Sequence, residues 1–292
     1  MLSSLSYPLK IESNPFLSLK TIDVVSDLHI DQWDTSLNIK NPCGEVLDYP
    51  YEFQKTKDRI LIVAGDISDD IDLSLRYLDE ISKNYERVLF VDGNHEHVSR
   101  YPNLISCDEI KDKIDKLNND KIVYLPKTHY KLGNTVIIGF SGWWDYDNRN
   151  DKSISNALKY FDEWIPEISR ADGGSRKFIE SVISKSEYHQ KQLYNILSDY
   201  ENDDNIQEVI IVTHTVPLKQ FALESKGNVE TSCQLQSGSK NLVDGRFTKL
   251  GTWIFGHTHN QFKKNVNGIS FISNPRGRPE DFNRKEYELK SI

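Results

Sequence analysis

Cysteine is scarce in this 292-residue sequence, and no long apolar run is present. The three cysteines, Cys43, Cys107 and Cys233, are odd in number and far apart, which argues against a disulfide framework and predicts free thiols in a reducing compartment. An ordinary place in the core is the favoured role for each. The first twenty residues contain Pro8 and Pro15 and no uninterrupted apolar segment, so neither a secretory signal nor a transmembrane span is predicted. We therefore expect a soluble, cytoplasmic protein with no membrane partner.

Positive charge is also in deficit. The chain has 36 Lys and Arg against 44 Asp and Glu, a net charge of −8, which disfavours an extended nucleic-acid-binding face. The length permits one large domain or two small ones. We expect a single domain over residues 1–292 with insertions at about 31–58 and 142–175. A domain of this size buries roughly three quarters of its unfolded surface, so its core is not marginal.

What the sequence does contain is an organising stretch at residues 88–96. Val88 to Val91 is a continuous apolar run of strand-forming residues, which predicts a buried strand of an α/β sheet. The run stops on Asp-Gly and delivers Asn94, His95 and Glu96 just past its carboxyl end. Open α/β sheets place their sites at that edge, although Asp-Gly-Asn is also a good plain turn.

Four further apolar runs end in the same way, at residues 22–26, 60–64, 209–212 and 252–255. They lead into polar residues, in chain order Asp27 and His29, then Asp66, then His214, then His257 and His259. Five of the eight histidines of the chain lie at these five ends. The recurrence predicts that these side chains share one site.

The segments between the strands divide into helices and long connections. Apolar residues at helical spacing predict helices at 72–85, 106–119 and about 175–199. Residues 31–58 form a long connection that leaves from His29, and we favour a loop overhanging the site over disorder. Residues 141–175 are expected to form an irregular insertion with some helix.

The polar residues at the strand ends form a mixed oxygen and nitrogen ligand set. Such a set suits divalent first-row ions such as Mn, Fe, Ni and Zn better than Ca or Mg alone. There are too many candidates for one tetrahedral ion, and seven fit two ions that share a bridging carboxylate. Two ions about 3.5–4 Å apart can clamp an in-line phosphoryl displacement and lower the pKa of a bridging water.

The order and spacing of these blocks carry a family resemblance. The blocks are Asp27-Leu28-His29, Gly65-Asp66, Gly93-Asn94-His95-Glu96, His214 and Gly256-His257-Thr258-His259. In this order the sequence resembles the calcineurin-like metallophosphoesterase family over nearly its whole length. The resemblance implies an α/β fold with two facing mixed β-sheets flanked by helices, an αββα sandwich, and a dinuclear metal site at the strand ends.

The resemblance also implies a role for each residue. Two divalent transition-metal ions would be bound, with Mn expected first. One would be held by Asp27, His29 and His259, the other by Asn94, His214 and His257, with Asp66 bridging both. His95 would not be a ligand and would instead face the phosphate, protonating the leaving oxygen or stabilising charge in the transition state.

The implied activity is metal-dependent hydrolysis of a phosphoric ester, in which a metal-bridged hydroxide attacks phosphorus in line. A small phosphomonoester, a nucleotide or a cyclic phosphodiester stays open as substrate. One rival function is an inert scaffold of the same fold, which the complete ligand set disfavours. The other is a protein phosphatase, which is disfavoured because Asp69-Asp70-Ile71 stands where the family's Ser/Thr phosphatases carry Asp-Arg-Gly.

Aromatic and basic residues near the site are candidates for substrate binding. Trp144 could stack on a leaving group, and Arg149 and Arg276 could neutralise phosphate oxygens, with Arg278 close by. At least as well supported is the alternative that the tryptophans of residues 142–175 fill an accessory core and the arginines are solvated.

The remaining polar residues near the blocks have simpler expected roles. His97, His129 and His189 fall outside the pattern and are predicted to be surface or structural residues. Asp69 is predicted to cap a helix, and Glu96 to cap or orient its loop.

Overall fold

A computed structural model of the protein describes residues 8–11, 21–33, 59–222, 233–279, 281, 287 and 289–292. The strands in these ranges are β1 (Leu9–Ile11), β2 (Ile22–Val25), β3 (Ile60–Ala64), β4 (Arg87–Val91), β5 (Ile122–Tyr124), β6 (His129–Leu132), β7 (Thr135–Phe140), β8 (Glu208–Thr213), β9 (Leu250–Phe255), β10 (Phe262–Val266), β11 (Ile269–Ser273) and β12 (Lys290–Ser291). The helices are α1 (Ile71–Ile81), α2 (Cys107–Lys116), α3 (Tyr146–Arg149), α4 (Asp151–Trp164), α5 (Pro166–Arg170) and α6 (Gly174–Glu201).

The strands form two mixed sheets. The five-stranded sheet has the order β12-β2-β3-β4-β5, with β12 antiparallel to β2 and the other pairs parallel. The seven-stranded sheet has the order β1-β6-β7-β8-β9-β11-β10, with antiparallel pairs at β6–β7 and β10–β11. Strands β2, β3 and β4 are therefore parallel neighbours in one sheet, as β7, β8 and β9 are in the other, and each set ends at one edge.

The core explains why the two sheets face each other. Alternate residues of a strand point to opposite sides, and both sides of β3 are buried: Ile60 and Ile62 pack between the sheets, whereas Leu61 and Val63 pack beneath α1 and α2. The same alternation in β8 buries Val209 and Ile211 towards α6. Apolar burial on both faces of both sheets produces the four layers.

Local capping fixes where the flanking helices begin. The side chain of Asp70 accepts a hydrogen bond from Leu73 N at the start of α1, and that of Ser106 accepts one from Glu109 N at the start of α2. The turn α3 is unusual, because all four of its residues have positive φ, between 52° and 59°. It is a single left-handed turn, a conformation that L-residues rarely adopt consecutively.

The expected fold class, two facing mixed sheets flanked by helices, is confirmed. The segment expected to be irregular at 141–175 is mostly helical, since α3, α4 and α5 lie within it. Its status as an insertion in a single domain stays a prediction. The other expected insertion, 31–58, lies outside the described residues from 34 onward. No described helix is long and apolar enough to cross a membrane.

Candidate metal centre

The predicted ligands come together where strands of the two sheets end. Asp27 and His29 follow β2, Asp66 follows β3 and Asn94 follows β4 of the five-stranded sheet; His214 follows β8, and His257 and His259 follow β9 of the seven-stranded sheet. The Asp27 carboxylate joins the two sheets, since its Oδ1 accepts a hydrogen bond of 2.8 Å from His257 N. The structure thus brings all seven residues to one place.

The backbone at these residues is strained in a consistent way. Five of the seven have φ in the left-handed region: 50° at Asp27, 44° at His29, 57° at Asp66, 74° at His257 and 53° at His259. None of them is glycine, and each such residue costs on the order of 1 kcal/mol or more. Backbone strain of this kind clusters at functional sites, because the surrounding structure must hold it in place.

Two glycines make room for the cluster. A Cβ at Gly65 would lie 2.6 Å from His214 Nδ1, and one at Gly93 would lie 2.1 Å from Asp66 Oδ1. Both distances are shorter than any real contact. Larger residues at these two turns would displace predicted ligands.

One group of close ligand atoms contains Asp27, His29 and His259. The Nε2 atoms of His29 and His259 are 3.0 Å apart, and His259 Nε2 lies 3.6 Å from Asp27 Oδ1. A second group contains Asp66, His214 and His257, where His214 Nε2 lies 3.0 Å from Asp66 Oδ2 and 3.1 Å from His257 Nδ1.

Asn94 and Asp66 complete the arrangement. Asn94 Oδ1 lies 3.2 Å from His214 Nε2, so the amide belongs with the second group. Asp66 also groups with His29 and His95, which places its carboxylate between the two groups. This position agrees with the bridging role that the resemblance implies.

Hydrogen bonds at the far side of each ring select the nitrogen that faces the site. His214 Nδ1 donates to Ala64 O at 2.8 Å, and His257 Nε2 donates to Cys233 O at 2.8 Å. His259 Nδ1 donates to Asp281 Oδ2 at 2.6 Å. The opposite nitrogen of each ring points at the ligand cluster and is the atom that would bind a metal once it carries no proton, as in histidines that bind metal.

The electrostatics of the cluster suit cations. Burial lowers the pKa of His29 to about 2 and that of His257 to about 3, so both rings are neutral and able to ligate. Burial opposes the charged pair of Asp66 and His214, but their mutual attraction prevails, holding the pKa of Asp66 well below its usual range and raising that of His214 to about 10. A proton on His214 here occupies a place that a divalent ion can take, because metal binding releases protons from its ligands. The donor set of imidazole nitrogens, carboxylates and one amide therefore fits divalent metals.

His95 lies beside the cluster and is held by its own carboxylate. Its Nδ1 donates to Asp69 Oδ1 at 2.5 Å, which leaves Nε2 facing the site, where it accepts from Arg278 Nη2 at 3.1 Å. Burial alone would lower the pKa of His95, but the carboxylates of Asp66 and Asp69 outweigh it and raise this pKa above its usual value. The prediction that Asp69 caps a helix is wrong, since Asp70 is the N-cap of α1.

Comparison with known proteins decides the family. A family model described as calcineurin-like phosphoesterase matches residues 20–261. The chain belongs to this family. It is a metallophosphoesterase, a hydrolase of phosphoesters, and its family generally uses two divalent metals, which the His and Asp groups here fit.

One related sequence and one solved structure match almost the whole length of the metallophosphoesterase chain. An uncharacterized protein of Acanthamoeba polyphaga mimivirus is 24% identical over 276 residues, which are 91% of this chain and 94% of the viral one. The crystal structure of the phosphopantetheinyl hydrolase of Mycobacterium tuberculosis superimposes with a TM-score of 0.63 at 19% identity, covering 94% of this chain and 95% of the other. The second likeness shows a shared fold.

Glu96 connects two of the turns that carry predicted metal ligands in this metallophosphoesterase. Its buried carboxylate accepts backbone hydrogen bonds from Asp66 N at 3.0 Å, Ile67 N at 2.7 Å and Gly93 N at 2.6 Å. It therefore ties the turn after β3 to the turn after β4. The geometry agrees with the orienting role predicted for it.

The three residues predicted to bind substrate have different positions. Trp144 lines the cavity at the metal centre and stacks on His257, with ring centroids 5.5 Å apart. Arg149 is instead held on the surface of α6 by ion pairs with Glu180 and Glu187. Its assignment to the substrate has no support in the structure.

Arg276 is not among the residues that line the cavity. It is buried, and its guanidinium packs over the ring of Trp33 at 3.6 Å. Arg278, two residues later, is the arginine that reaches His95 and lines the cavity. Sequence alone could not choose between the two, because the choice depends on the path of the loop after β11.

The histidines outside the pattern are structural. His97, His129 and His189 are all buried, with 0%, 5% and 2% of their surface exposed, so none is a surface residue. His97 Nε2 donates to Asp92 Oδ2 at 2.9 Å, and His189 Nδ1 accepts from Gly142 N at 3.3 Å.

The sequence analysis missed Asp281, whose carboxylate orients His259. No motif or spacing in the sequence singled out this residue.

A cavity of about 680 Å³ opens in front of the metal centre. One part is lined by polar groups of the site, including Asp66, Asn94, His95, His257, His259 and Arg278. The other part is lined by Val98, Tyr101, Tyr160, Phe161, Ile165 and Phe178. A volume of this order is typical of sites that enclose small organic ligands.

Proposed function

We propose that this metallophosphoesterase hydrolyses a small phosphoester with a single phosphate, of the phosphomonoester, nucleotide or cyclic phosphodiester class. The observation that carries the proposal is the convergence of seven ligand side chains beside a histidine held by a carboxylate. A metal centre alone is compatible with many functions. The additional, correctly oriented His95 points to catalysis.

The proposed metal ligands are Asp27, His29 and His259 for one ion, Asn94, His214 and His257 for the other, and Asp66 for both. When bound, the ions would supply Lewis-acid activation of a water and of the phosphoryl group. Among Mn, Fe, Ni and Zn, we propose Mn as the bound ion, because mixed imidazole and carboxylate donors suit first-row divalent ions.

His95 is the proposed general acid. Asp69 fixes its Nδ1–H, so that Nε2 is the atom that can deliver a proton to the leaving oxygen. In the present arrangement Nε2 accepts from Arg278 Nη2 at 3.1 Å and carries no proton, so His95 must first take up a proton from solvent at Nε2. The carboxylates of Asp66 and Asp69, which raise the pKa of His95, favour this uptake. A substrate phosphate would compete for the donors of Arg278, and the guanidinium would then bind phosphate oxygens while His95 faces the leaving group.

The charges around the cavity support a single phosphate. Among the described residues that line it, Arg278 is the one Lys or Arg, whereas Asp69, Glu167 and Asp281 contribute carboxylates. A substrate with several phosphates would bring its additional charges close to these carboxylates. The same argument disfavours an extended nucleic acid, in agreement with the net charge of −8.

Two rival functions remain distinguishable from this proposal. An inert scaffold would have no need of the strained ligand backbones and the aligned His95, and the structure has both. A protein phosphatase is disfavoured by the absence of an Asp-Arg-Gly sequence after Gly65-Asp66. We also propose a cytoplasmic location, which is supported by the free thiols of the two described cysteines, Cys107 and Cys233.

The activity can be tested with a substrate panel and added Mn. The panel contains nitrophenyl phosphate, its bis-ester, nucleoside monophosphates, cyclic nucleotides and a phosphopantetheinyl ester, the last because the mycobacterial protein of the same fold is named a phosphopantetheinyl hydrolase. We expect hydrolysis of at least one class, loss of activity with a chelator and its return with Mn. Full metal occupancy without hydrolysis of any member would favour the scaffold.

The role of His95 has its own test. His95→Ala should keep both metals and lose about a hundred- to ten-thousandfold in turnover, the usual contribution of a general acid. The loss should shrink for esters with good leaving groups, which need less protonation. An equal loss across leaving groups of very different acidity would contradict the acid role and leave electrostatic stabilisation.

A further inference from the structure

The apolar residues that line the cavity include four aromatic rings in successive contact, and the first of these rings lies next to the predicted ligand Asn94. The hydroxyl of Tyr101 donates to Asn94 O at 3.2 Å, and its ring contacts Phe178 at a centroid distance of 5.0 Å. Phe178 contacts Phe161 at 5.3 Å, and Phe161 contacts Tyr160 at 5.9 Å. We call the surface of Val98, Tyr101, Tyr160, Phe161, Ile165 and Phe178 the aromatic slot.

Three separate elements build the slot. The 3-10 helix His95–Arg100, directly after the ligand Asn94, carries Val98 and leads to Tyr101. Helix α4 carries Tyr160 and Phe161, and α6 carries Phe178. Phe161 and Phe178 belong to the accessory core that residues 142–175 form with α6. The slot is therefore the side of that core that lines the cavity at the metal centre.

The slot adjoins the candidate metal centre within one cavity. Tyr101, whose hydroxyl donates to the backbone of Asn94, places the inner end of the slot against a predicted ligand, and Trp144, which stacks on His257, lines the same cavity. A phosphate seated at the metals with its leaving oxygen towards His95 has its organic group in the same cavity. Phosphate alone would leave most of the 680 Å³ empty.

We propose that the aromatic slot binds an apolar leaving group, which makes this protein selective for phosphomonoesters of apolar alcohols. The proposal rests on the proposed function and names its substrate class. The slot has few groups that could read the edge of a nucleic acid base. Its polar side-chain atoms are the hydroxyls of Tyr101 and Tyr160, of which the first donates to Asn94 O, and Glu167 lies at the exposed rim. The partly exposed side chains of Val98, Tyr101, Tyr160 and Ile165 offer apolar area that a ligand can bury, and the buried rings of Phe161 and Phe178 support them.

The test uses n-alkyl phosphates from ethyl to octyl, whose alcohols have nearly equal acidity, with Mn-loaded protein. We expect kcat/KM to rise with chain length by up to about fourfold for each methylene that enters the slot. Tyr160→Ala should flatten this rise, reducing kcat/KM for octyl phosphate about tenfold while changing that for ethyl phosphate less than about twofold. Tyr160 is 37% exposed, so its removal leaves the buried core in place.

Tyr188→Ala is the matched control, since Tyr188 is a 48% exposed tyrosine that does not line the cavity. It should behave as the wild type with every ester. A flat chain-length series in an active wild type, or faster hydrolysis of nucleoside monophosphates than of octyl phosphate, would overturn the slot proposal while leaving the proposed function standing. Hydrolysis of no ester at all by metal-loaded protein would instead overturn the proposed function.

Discussion

At the scale of single residues, the orientation of His259 depends on a carboxylate outside the recognisable motifs. Asp281 Oδ2 accepts from His259 Nδ1 and also from Arg278 N, both at 2.6 Å. One side chain therefore fixes a predicted metal ligand and the backbone of the arginine that faces His95. Loss of a partner of this kind typically lowers metal affinity about ten- to a hundredfold.

Asp281→Asn is therefore expected to weaken Mn binding by about ten- to a hundredfold without unfolding the protein. The amide oxygen can still accept from both donors, but it is neutral, so the ring of His259 loses its charged partner. Calorimetric titration of metal-free protein with Mn measures the effect. Asp244→Asn, which removes an exposed carboxylate paired with Arg246, is the control and should bind Mn normally. Unchanged affinity in Asp281→Asn would show that His259 is held by other contacts.

At the scale of elements, the left-handed turn α3 departs most clearly from expectation. The sequence Tyr146-Asp147-Asn148-Arg149 has no glycine, yet every φ is positive. The turn is held from outside, since Asp145 Oδ1 accepts from Asn148 N at 3.0 Å and Arg149 pairs with two glutamates of α6. Because Arg149 is held by these two glutamates, it does not line the cavity where it was predicted to bind phosphate oxygens.

Glycine should relieve this turn. Asn148→Gly is expected to stabilise the protein by up to about 1 kcal/mol, because glycine adopts positive φ without the steric cost of a Cβ. Urea unfolding measures the change in the free energy of unfolding. Lys159→Gly, the same substitution at an exposed position inside α4, should destabilise by about 1 kcal/mol. Equal destabilisation at both positions would contradict a left-handed α3.

The elements show what a sequence pattern can and cannot predict. Apolar runs such as Ile60–Ala64 and helical spacing such as that of Ile71, Leu75 and Leu78 identify strands and helices, because burial produces those periods. The convergence of the seven predicted ligands could be predicted because each follows a strand end. Asp281 and the aromatic slot were not, since they depend on loop paths and on helix packing across the chain, which no local period encodes.

At the scale of the whole molecule, buried neutral histidines link stability to pH. His189 lies on α6 and accepts a hydrogen bond from Gly142 N, and burial lowers its pKa to about 3. The unfolded chain has the ordinary pKa of about 6.5 and so binds more protons than the folded chain between these values. Stability contributed by neutral His189 is therefore present above pH 6.5 and is lost as the pH falls towards 3.

Between pH 7.5 and pH 5 this residue should account for a loss on the order of 2 kcal/mol in the free energy of unfolding. Urea unfolding of the wild type and of His189→Gln at both pH values measures how much His189 contributes to this loss. The variant is expected to be less stable at pH 7.5 but to have a shallower pH dependence. A parallel pH dependence in the two proteins would mean that His189 is not neutral in the folded state.

For the whole site we propose that two metal ions share the carboxylate of Asp66, which lies between the two groups of predicted ligands. Elemental analysis of purified protein after Mn loading and gel filtration tests this proposal most directly. We expect about two ions per chain in the wild type. In a folded Asp66→Asn variant both ions should be depleted together, because the bridging charge contributes to each. Two ions retained by Asp66→Asn, or none bound by the wild type, would contradict the account.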